Sequence, residues 1–252
     1  KKESQITWAQ DVYNPKKQNW AEYDQAWENI FCDIDNDLRK IYLAGGEPFY
    51  LKKFPEYIEE LVNRAPQAHV EINTNATRLL PMQYIEKIKH ADINLRVSID
   101  GFGQADEYTR QGTAWEEKIS IIKTYSKYFK IPFFDVTINS LNLQSIPKLV
   151  EWIEENFSDS RILLRPVVNR KGLEIESIPI SMREELANFL YQRTDNSKYH
   201  NVKQIIDLCR AETIDSRKEQ QLQVDFWNNH GSIKLSDFNP ELEEWIFENN
   251  SC

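Results

Sequence analysis

The sequence predicts an α/β fold in which parallel strands alternate with helices. Short β-branched runs recur between residues 41 and 168, and the stretches between them carry the apolar spacing of amphipathic helices. Connections long enough to hold a helix join parallel neighbours. The pattern taken alone is compatible with both an open doubly wound sheet and a barrel.

Five strands are predicted in this region. We expect both of their faces to be apolar, because helices usually cover a parallel sheet on both sides. The predicted strands are Ile41–Ala44, His69–Ile72, Ile93–Ile99, Phe133–Ile138 and Ile162–Val168.

Four helices are predicted between these strands. The first carries apolar residues at i, i+3, i+4, i+7 and i+8 from Phe54 to Val62. Pro81 opens the second, which is short, and Trp115 lies on the apolar face of the third. The fourth begins with Ser145 as its N-cap and Pro147 in its first turn.

Helical patterns also flank the core. The pattern at Trp20–Phe31 is typical of a helix that packs behind a preceding strand, and the first thirty residues supply no convincing strand. We therefore expect the sheet to begin one strand before Lys1. Towards the C-terminus, helices are predicted at Ser181–Tyr191 with a serine cap, from Val202 to about Trp227, and at Glu241–Phe247.

The pattern divides the chain into three parts. Residues 1–37 form an N-terminal helical segment, residues 38–170 the strand–helix core and residues 171–252 a mainly helical extension. The extension is expected to be an appendage of the core rather than a separate domain.

Composition excludes several classes of function. The net charge of −9 in 252 residues disfavours nucleic-acid or anionic-membrane binding. No apolar run approaches the ~18 residues that span a bilayer, and no secretory signal opens the chain. The cysteines at 32, 209 and 252 and the four histidines lack metal-site spacing. We expect free thiols and a cytoplasmic location.

Polar or small residues stand at the carboxyl ends of all five predicted strands, where parallel α/β folds bind ligands. Adjacent glycines allow close backbone approach to a ligand, and a glutamate beside them can accept a hydrogen bond from a ligand ammonium. The sequence therefore predicts a lined ligand cleft. The strand-end residues are Gly45, Gly46, Glu47 and Pro48; Asn75; Ser98 and Asp100; Thr137 and Asn139; and Arg165.

These motifs resemble those of radical S-adenosylmethionine (SAM) enzymes. Residues 41–49, Ile-Tyr-Leu-Ala-Gly-Gly-Glu-Pro-Phe, resemble that family's Gly-Gly-Glu-Pro strand, and the strand ends at 72–76 and 95–101 resemble its following strands. The tail at 231–242 resembles a "twitch" extension. The resemblance covers about 38–168 well and 215–247 loosely. It implies a partial (βα)6 TIM-like barrel with a mainly helical C-terminal extension.

The resemblance also implies roles for individual residues. The 45–48 segment would receive the SAM amino group, with Asn75 facing the same cleft. Arg110 would pair with the SAM carboxylate through its planar fork. The remaining residues divide as follows: Ser98 and Asp100 at the ribose, Thr137 and Asn139 near ribose or adenine, and Arg165 towards SAM or substrate. No catalytic side chain and no metal ligand of the chain is implied.

Structural alternatives stay open for several of these residues. Arg110 could be a surface charge, Asp100 a turn residue, and Arg165 a member of an ion pair at the bottom of the barrel. Thr137 or Asn139 could only pin a strand end.

In this family a Cys-x3-Cys-x2-Cys loop after the first strand holds a [4Fe–4S] cluster, and its reduction cleaves SAM to a radical that abstracts a substrate hydrogen. The chain has no such motif. We expect the ligands upstream of Lys1, and we expect the chain alone neither to hold the cluster nor to cleave SAM. Cys209 and Cys252 are too few for an auxiliary cluster, although cysteines of an upstream segment could complete a twitch-like one.

Three hypotheses follow. The first is a radical SAM enzyme served by an electron donor, with the substrate undetermined and a peptide as one possible class. The second is a cluster-less relative that binds SAM or a partner protein. The third is an unrelated parallel α/β enzyme, such as a phosphate-binding barrel, which ranks last because Glu47 beside the glycines would repel phosphate.

Overall fold

The sheet of this protein contains six parallel strands in the order in which they occur along the chain. The structure is a computed structural model that describes residues 24–32, 34 and 37–248. The strands are β1 Lys40–Leu43, β2 His69–Thr74, β3 Ile93–Ser98, β4 Lys130–Ile138, β5 Arg161–Pro166 and β6 Tyr199–His200. The five predicted strands and the α/β class are confirmed. The strand expected before Lys1, like residues 20–23 of the first predicted helix, lies outside the described residues.

Helices connect consecutive strands and form most of the C-terminal part. The part of the chain that is described contains α1 Asp24–Cys32, α2 Phe54–Arg64, α3 Met82–Ile88, α4 Gln104–Thr109, α5 Trp115–Tyr125, α6 Ile146–Asn156, α7 Ile180–Tyr191, α8 Val202–Arg210, α9 Arg217–His230 and α10 Pro240–Phe247. The four predicted crossover helices are confirmed. None of the described helices has the length and apolar character required to cross a bilayer.

Several local predictions need correction. Ser145 occupies the N-cap position of α6, but its hydroxyl donates to the carbonyl of Asn142 instead of capping the helix. Ser181 lies inside α7, whose N-cap position is Pro179. The single helix predicted from Val202 to Trp227 is two helices, and the short helix α4 was not predicted. Serine residues and polar stretches in the sequence were therefore not sufficient to locate the ends of these helices.

The sixth strand was also not predicted. It is two residues long and pairs with β5 through Ile162–Tyr199 and Leu163–His200. A helix fixes the side chain of Tyr199, because the Tyr199 hydroxyl donates a hydrogen bond to Glu154 of α6. The same carboxylate accepts from Arg193 at 2.8 Å. A strand this short depends on such tertiary contacts and has no apolar periodicity to reveal it.

The two faces of the sheet differ, so the prediction that both are apolar is wrong. One face carries buried residues such as Val70, Leu95, Val136 and Leu164, which belong to the same core as the helices. Sequential strand order with crossovers of one hand places every crossover helix on this side. The opposite side, here called the polar face, carries Lys40, Tyr42, His69, Glu71, Asn73, Asn94, Arg96, Ser98, Phe133, Asp135, Thr137, Arg161, Leu163, Arg165 and His200.

A second, smaller core joins the C-terminal part to the carboxyl edge of the sheet. Tyr108 of α4 and Leu141 after β4 pack with Val224 of α9 and Leu242 of α10. The C-terminal helices therefore cover the loops that follow β3 and β4. The division at residues 37 and 170 remains a prediction, although β6 within 171–252 pairs with the core sheet.

Candidate functional site

The carboxyl ends of β1 and β2 are joined by the side chain of Glu47. Its Oε1 accepts a hydrogen bond from Thr74 Oγ1 at 2.7 Å, and its Oε2 accepts one from the backbone N–H of Asn75 at 2.6 Å. The N–H of Phe49 donates to Oε1 at 3.3 Å. The carboxylate therefore fixes the relative position of the two strand ends, and Oε2 keeps a lone pair for a ligand.

The two glycines before Glu47 leave the backbone open at this edge. Gly45 has a φ of +102° and Gly46 a φ of +56°, values that L side chains rarely adopt. A Cβ at either position would meet nothing within 4 Å. Pro48 is buried and starts a 3-10 turn, which stops the strand here. A ligand can thus contact the main chain of residues 45 and 46 directly.

Burial makes the contribution of Glu47 to folding stability depend on pH. Desolvation raises its pKa above the ordinary value of 4.5, and the hydrogen bonds from Asn75 and Thr74 oppose this rise only in part. A carboxyl group whose folded pKa is raised stabilises the fold most below the unfolded pKa and loses this contribution as pH rises through the folded pKa. Ionised Glu47 is therefore less favourable for folding than its protonated form.

We expect the stability difference between the wild type and Glu47→Gln to depend on pH. Relative to the variant, the wild type should gain stability as pH falls from 7 towards 4.5. Urea unfolding at several pH values measures the difference, and Glu117→Gln on the exposed side of α5 is the matched control. A difference that is constant, or that grows in the opposite direction, would contradict the proposed burial effect.

The ends of β3 and β4 are joined by Asp100. Its Oδ1 accepts a hydrogen bond from the backbone N–H of Thr137 at 2.7 Å. Its Oδ2 lies 2.6 Å from Arg110 Nε, and the two side chains, 26% exposed for Arg110 and 11% for Asp100, form a partly buried ion pair. Arg110 Nε is buried and has no well-directed hydrogen bond. Among the described residues no hydrogen bond engages the two terminal nitrogens of Arg110, so these donors remain available at the strand ends.

Two asparagines hold the β4 end. Asn142 is fully buried, and its Nδ2 donates to the carbonyls of Asp100 at 2.6 Å and Thr137 at 2.8 Å. Its Oδ1 accepts from the N–H of Asn139 at 2.8 Å. Asn139 Oδ1 accepts from Leu141 N, so the structure places the side chain of Asn139 in its own turn. Sequence reasoning did not single out Asn142.

A fully buried ion pair supports Asp100 from behind. Asp106 Oδ2 accepts from Lys118 Nζ at 2.7 Å, and both side chains are 0% exposed. Asp106 Oδ1 accepts from the N–H of Asp100 at 2.8 Å. Sequence reasoning missed both residues. The available signal was Lys118 itself, a charged residue between Trp115 and Ile122 on the apolar face of α5.

The remaining predicted residues lie on the same edge or on the polar face. Asn75 Oδ1 accepts from Thr77 N at 3.1 Å, which closes a turn. Ser98 Oγ lies 3.4 Å from Asn73 Oδ1. Arg165 is at the carboxyl end of β5, away from the barrel bottom, and pairs with Asp135. The positive charge of Arg110 is the weakest of the effects that oppose the raised pKa of Glu47, and through it the two halves of the edge interact electrostatically.

No group of residues at this edge has the donor set of a metal or iron–sulfur site. The described residues contain no cluster of three His, Cys, Asp or Glu side chains suited to a metal ion. Cys32 is exposed, and burial raises the pKa of the Cys209 thiol to about 12, which disfavours the thiolate that iron requires. Cys252 lies outside the described residues. The residues described here do not fit an iron–sulfur cluster.

Comparison with known proteins identifies relatives of this chain. The sequence profile of the Radical SAM superfamily matches residues 13–153, which is more than half of the chain. A GTP 3',8-cyclase of Vibrio atlanticus (strain LGP32) is 24% identical over 177 residues, covering 67% of this chain and 51% of the cyclase. This chain thus spans about half the length of that curated relative.

Solved structures show the same fold. Native anSMEcpe with bound AdoMet and Kp18Cys peptide superimposes with a TM-score of 0.51 at 15% identity, covering 71% of this chain and 54% of that one. The complex of the same protein with Cp18Cys peptide gives 0.50 at 14% identity, with coverages of 71% and 55%. At these identities the likeness supports the fold, and it confirms the predicted partial barrel.

Proposed function

Because the chain belongs to the radical SAM superfamily, we propose that it binds SAM at the carboxyl edge of β1–β4. The observation that carries the proposal is the placement of Glu47 and the Asp100–Arg110 ion pair on one edge of the sheet, beside two open glycines. The backbone at 45–46 and Glu47 suit an ammonium group. The fork of Arg110, with its unused donors, suits a carboxylate. An amino acid end such as that of SAM presents both groups.

The roles of the chain's own residues follow from their contacts. Glu47 holds the β1 and β2 ends together while offering one acceptor, and Asp100 orients Arg110. Asn142 and the Asp106–Lys118 pair keep Asp100 in place. Such a rigid supporting set keeps binding groups near their productive geometry before the ligand arrives.

Reductive cleavage of SAM and hydrogen abstraction from a substrate are proposed for the intact enzyme. This chemistry needs a [4Fe–4S] cluster and an electron donor, and the described residues do not supply the cluster ligands. We keep the proposal that these ligands precede Lys1. We also propose that residues 171–252 act as a twitch-like extension and that the protein is cytoplasmic.

A cluster-less relative is the second candidate, and the absence of Cys-x3-Cys-x2-Cys from the chain favours it. The coding region upstream of Lys1 discriminates between the two. A Cys-x3-Cys-x2-Cys motif there would support the radical enzyme. A start codon without that motif would support SAM or partner binding without radical chemistry.

We expect Arg110→Ala to weaken binding of SAM and S-adenosylhomocysteine by about ten- to a hundredfold, because a hydrogen bond to a charged group contributes roughly 1.5–3 kcal/mol. Isothermal titration with each ligand measures the effect. Arg210→Ala, an exposed arginine on α8, is the control. Unchanged affinity in Arg110→Ala would refute this site, and a wild type that binds neither ligand would refute SAM binding by this chain.

A further inference from the structure

A row of alternating charges crosses five strands of the polar face. Lys40 of β1 pairs with Glu71 of β2 at 2.7 Å, and Glu71 pairs with Arg96 of β3 at 3.0 Å. Arg96 pairs with Asp135 of β4 at 2.9 Å, and Asp135 pairs with Arg165 of β5 at 2.9 Å. This row, called the charge row below, ends beside the edge where the SAM site is proposed.

The charge row contains more positive than negative groups. Three cations share two carboxylates, so each carboxylate is neutralised by two neighbours while the row keeps one positive charge. Arg161 also lies on the polar face, but at the amino end of β5, four residues before Arg165. In a protein whose net charge is −9, a locally positive cleft indicates an anionic ligand.

Arg165 is the arginine of the charge row that has N–H donors without a partner among the described residues. Arg96 donates from Nε, Nη1 and Nη2 to Asp135 and Glu71, which uses all three of its nitrogens. The side chain of Arg165 is 56% exposed and donates only from Nε, to Asp135 Oδ1 at 2.9 Å. Its two terminal nitrogens have no partner among the described residues. Asp135 thus fixes a guanidinium whose outer edge lies on the face of the sheet that the described crossover helices leave uncovered.

We propose that Arg165 binds a carboxylate of the substrate. The proposal rests on the proposed function, because it takes the polar face as the substrate side of the SAM site. A guanidinium edge with two parallel donors matches a carboxylate bidentately. The surplus of one positive charge in the row suits one carboxylate better than a triphosphate. Phosphate chains are usually held by a cradle of backbone N–H groups, whereas Glu47 follows the glycines here.

The carboxylate can come from an acidic side chain of a peptide or from a small free acid, and the experiment separates these sources. A random peptide pool is selected on the immobilised 252-residue chain. The best binder and its counterpart with the carboxylate replaced by an amide are then titrated into the wild type and Arg165→Gln. Glutarate is titrated into both proteins as the small-acid probe. Arg210→Gln is the control variant.

We expect selection to enrich Asp or Glu, and the amide counterpart to bind the wild type about tenfold or more weakly. In Arg165→Gln both peptides should bind equally, and Arg210→Gln should behave like the wild type. Carboxylate-dependent binding of glutarate alone would support the proposal with a small acid as the source. An undiminished carboxylate preference in Arg165→Gln, or no binding of any acid by the wild type, would overturn it.

Titration with SAM distinguishes this proposal from the function on which it rests. Arg165→Gln is expected to keep wild-type SAM affinity. A loss of SAM affinity in that variant would place Arg165 in the SAM site and overturn the substrate role. Absence of SAM binding in the wild type, together with the expected peptide result, would refute the proposed function while the carboxylate contact stands.

Discussion

Replacing Lys118 with methionine is expected to lower the free energy of unfolding by about 3–5 kcal/mol, the range found when one partner of a buried ion pair is removed. Lys118 Nζ lies 2.7 Å from Asp106 Oδ2, and neither side chain has any exposed surface. Methionine fills a similar volume, so the loss of stability measures the effect of leaving the buried carboxylate of Asp106 without a counter-charge. Denaturant unfolding followed by fluorescence measures the change.

The effect should extend to the ligand site. Asp106 also accepts a hydrogen bond from the N–H of Asp100, and Asp100 holds Arg110. Lys118→Met should therefore also weaken SAM binding under conditions where the variant is folded. Lys123→Met, on the exposed side of the same helix, should change stability by less than about 0.5 kcal/mol. A loss below about 1 kcal/mol in Lys118→Met would show that the pair is not a structural requirement.

The second large effect is expected from Asn142→Leu, which should cost about 3 kcal/mol or more. Leucine has a similar size but no polar atoms, so the carbonyls of Asp100 and Thr137 and the N–H of Asn139 would lose their partner. Each buried polar group left unsatisfied costs roughly 1–3 kcal/mol. Urea unfolding of the variant tests this expectation.

Asn156→Leu is the control for this substitution. Asn156 is exposed at the end of α6, and among the described residues its side chain donates to the carbonyl of Trp152. Its replacement should change stability by no more than about 0.5 kcal/mol. If the two variants unfold at the same urea concentration, water must replace the lost contacts of Asn142, and the proposed link between β3 and β4 ends would be wrong.

The sequence predictions were correct for features that depend on residues close together in the chain and missed features that depend on distant residues. The strand from Ile93 was predicted from its β-branched residues and the helix from Phe54 from its apolar periodicity, because both are local properties of the chain. The 45–47 and 98–100 segments were predicted as a cleft because parallel strands place their carboxyl ends on one edge. Asn142 was missed because an asparagine in a loop shows nothing of its burial until the β3 end packs against it.

The alternation of polar and apolar residues was present in the sequence but was interpreted incorrectly. In β3 the residues Asn94, Arg96 and Ser98 alternate with buried Ile93, Leu95 and Val97. This is the period of a sheet with one covered face. The prediction of two apolar faces gave weight to the β-branched residues and overlooked their spacing.

The sequence by itself determined the order of strands and helices, the turn at Gly45–Gly46 and the polar strand ends, because these depend on residues close together in the chain. Only the tertiary structure decided which polar groups meet. Asn142 contacts Asp100 across 42 residues and Arg96 contacts Asp135 across 39. It also decided that β6 exists and that the described crossover helices cover one face of the sheet. Partner choice among charged and amide groups depends on strand register and burial, which composition and periodicity leave open.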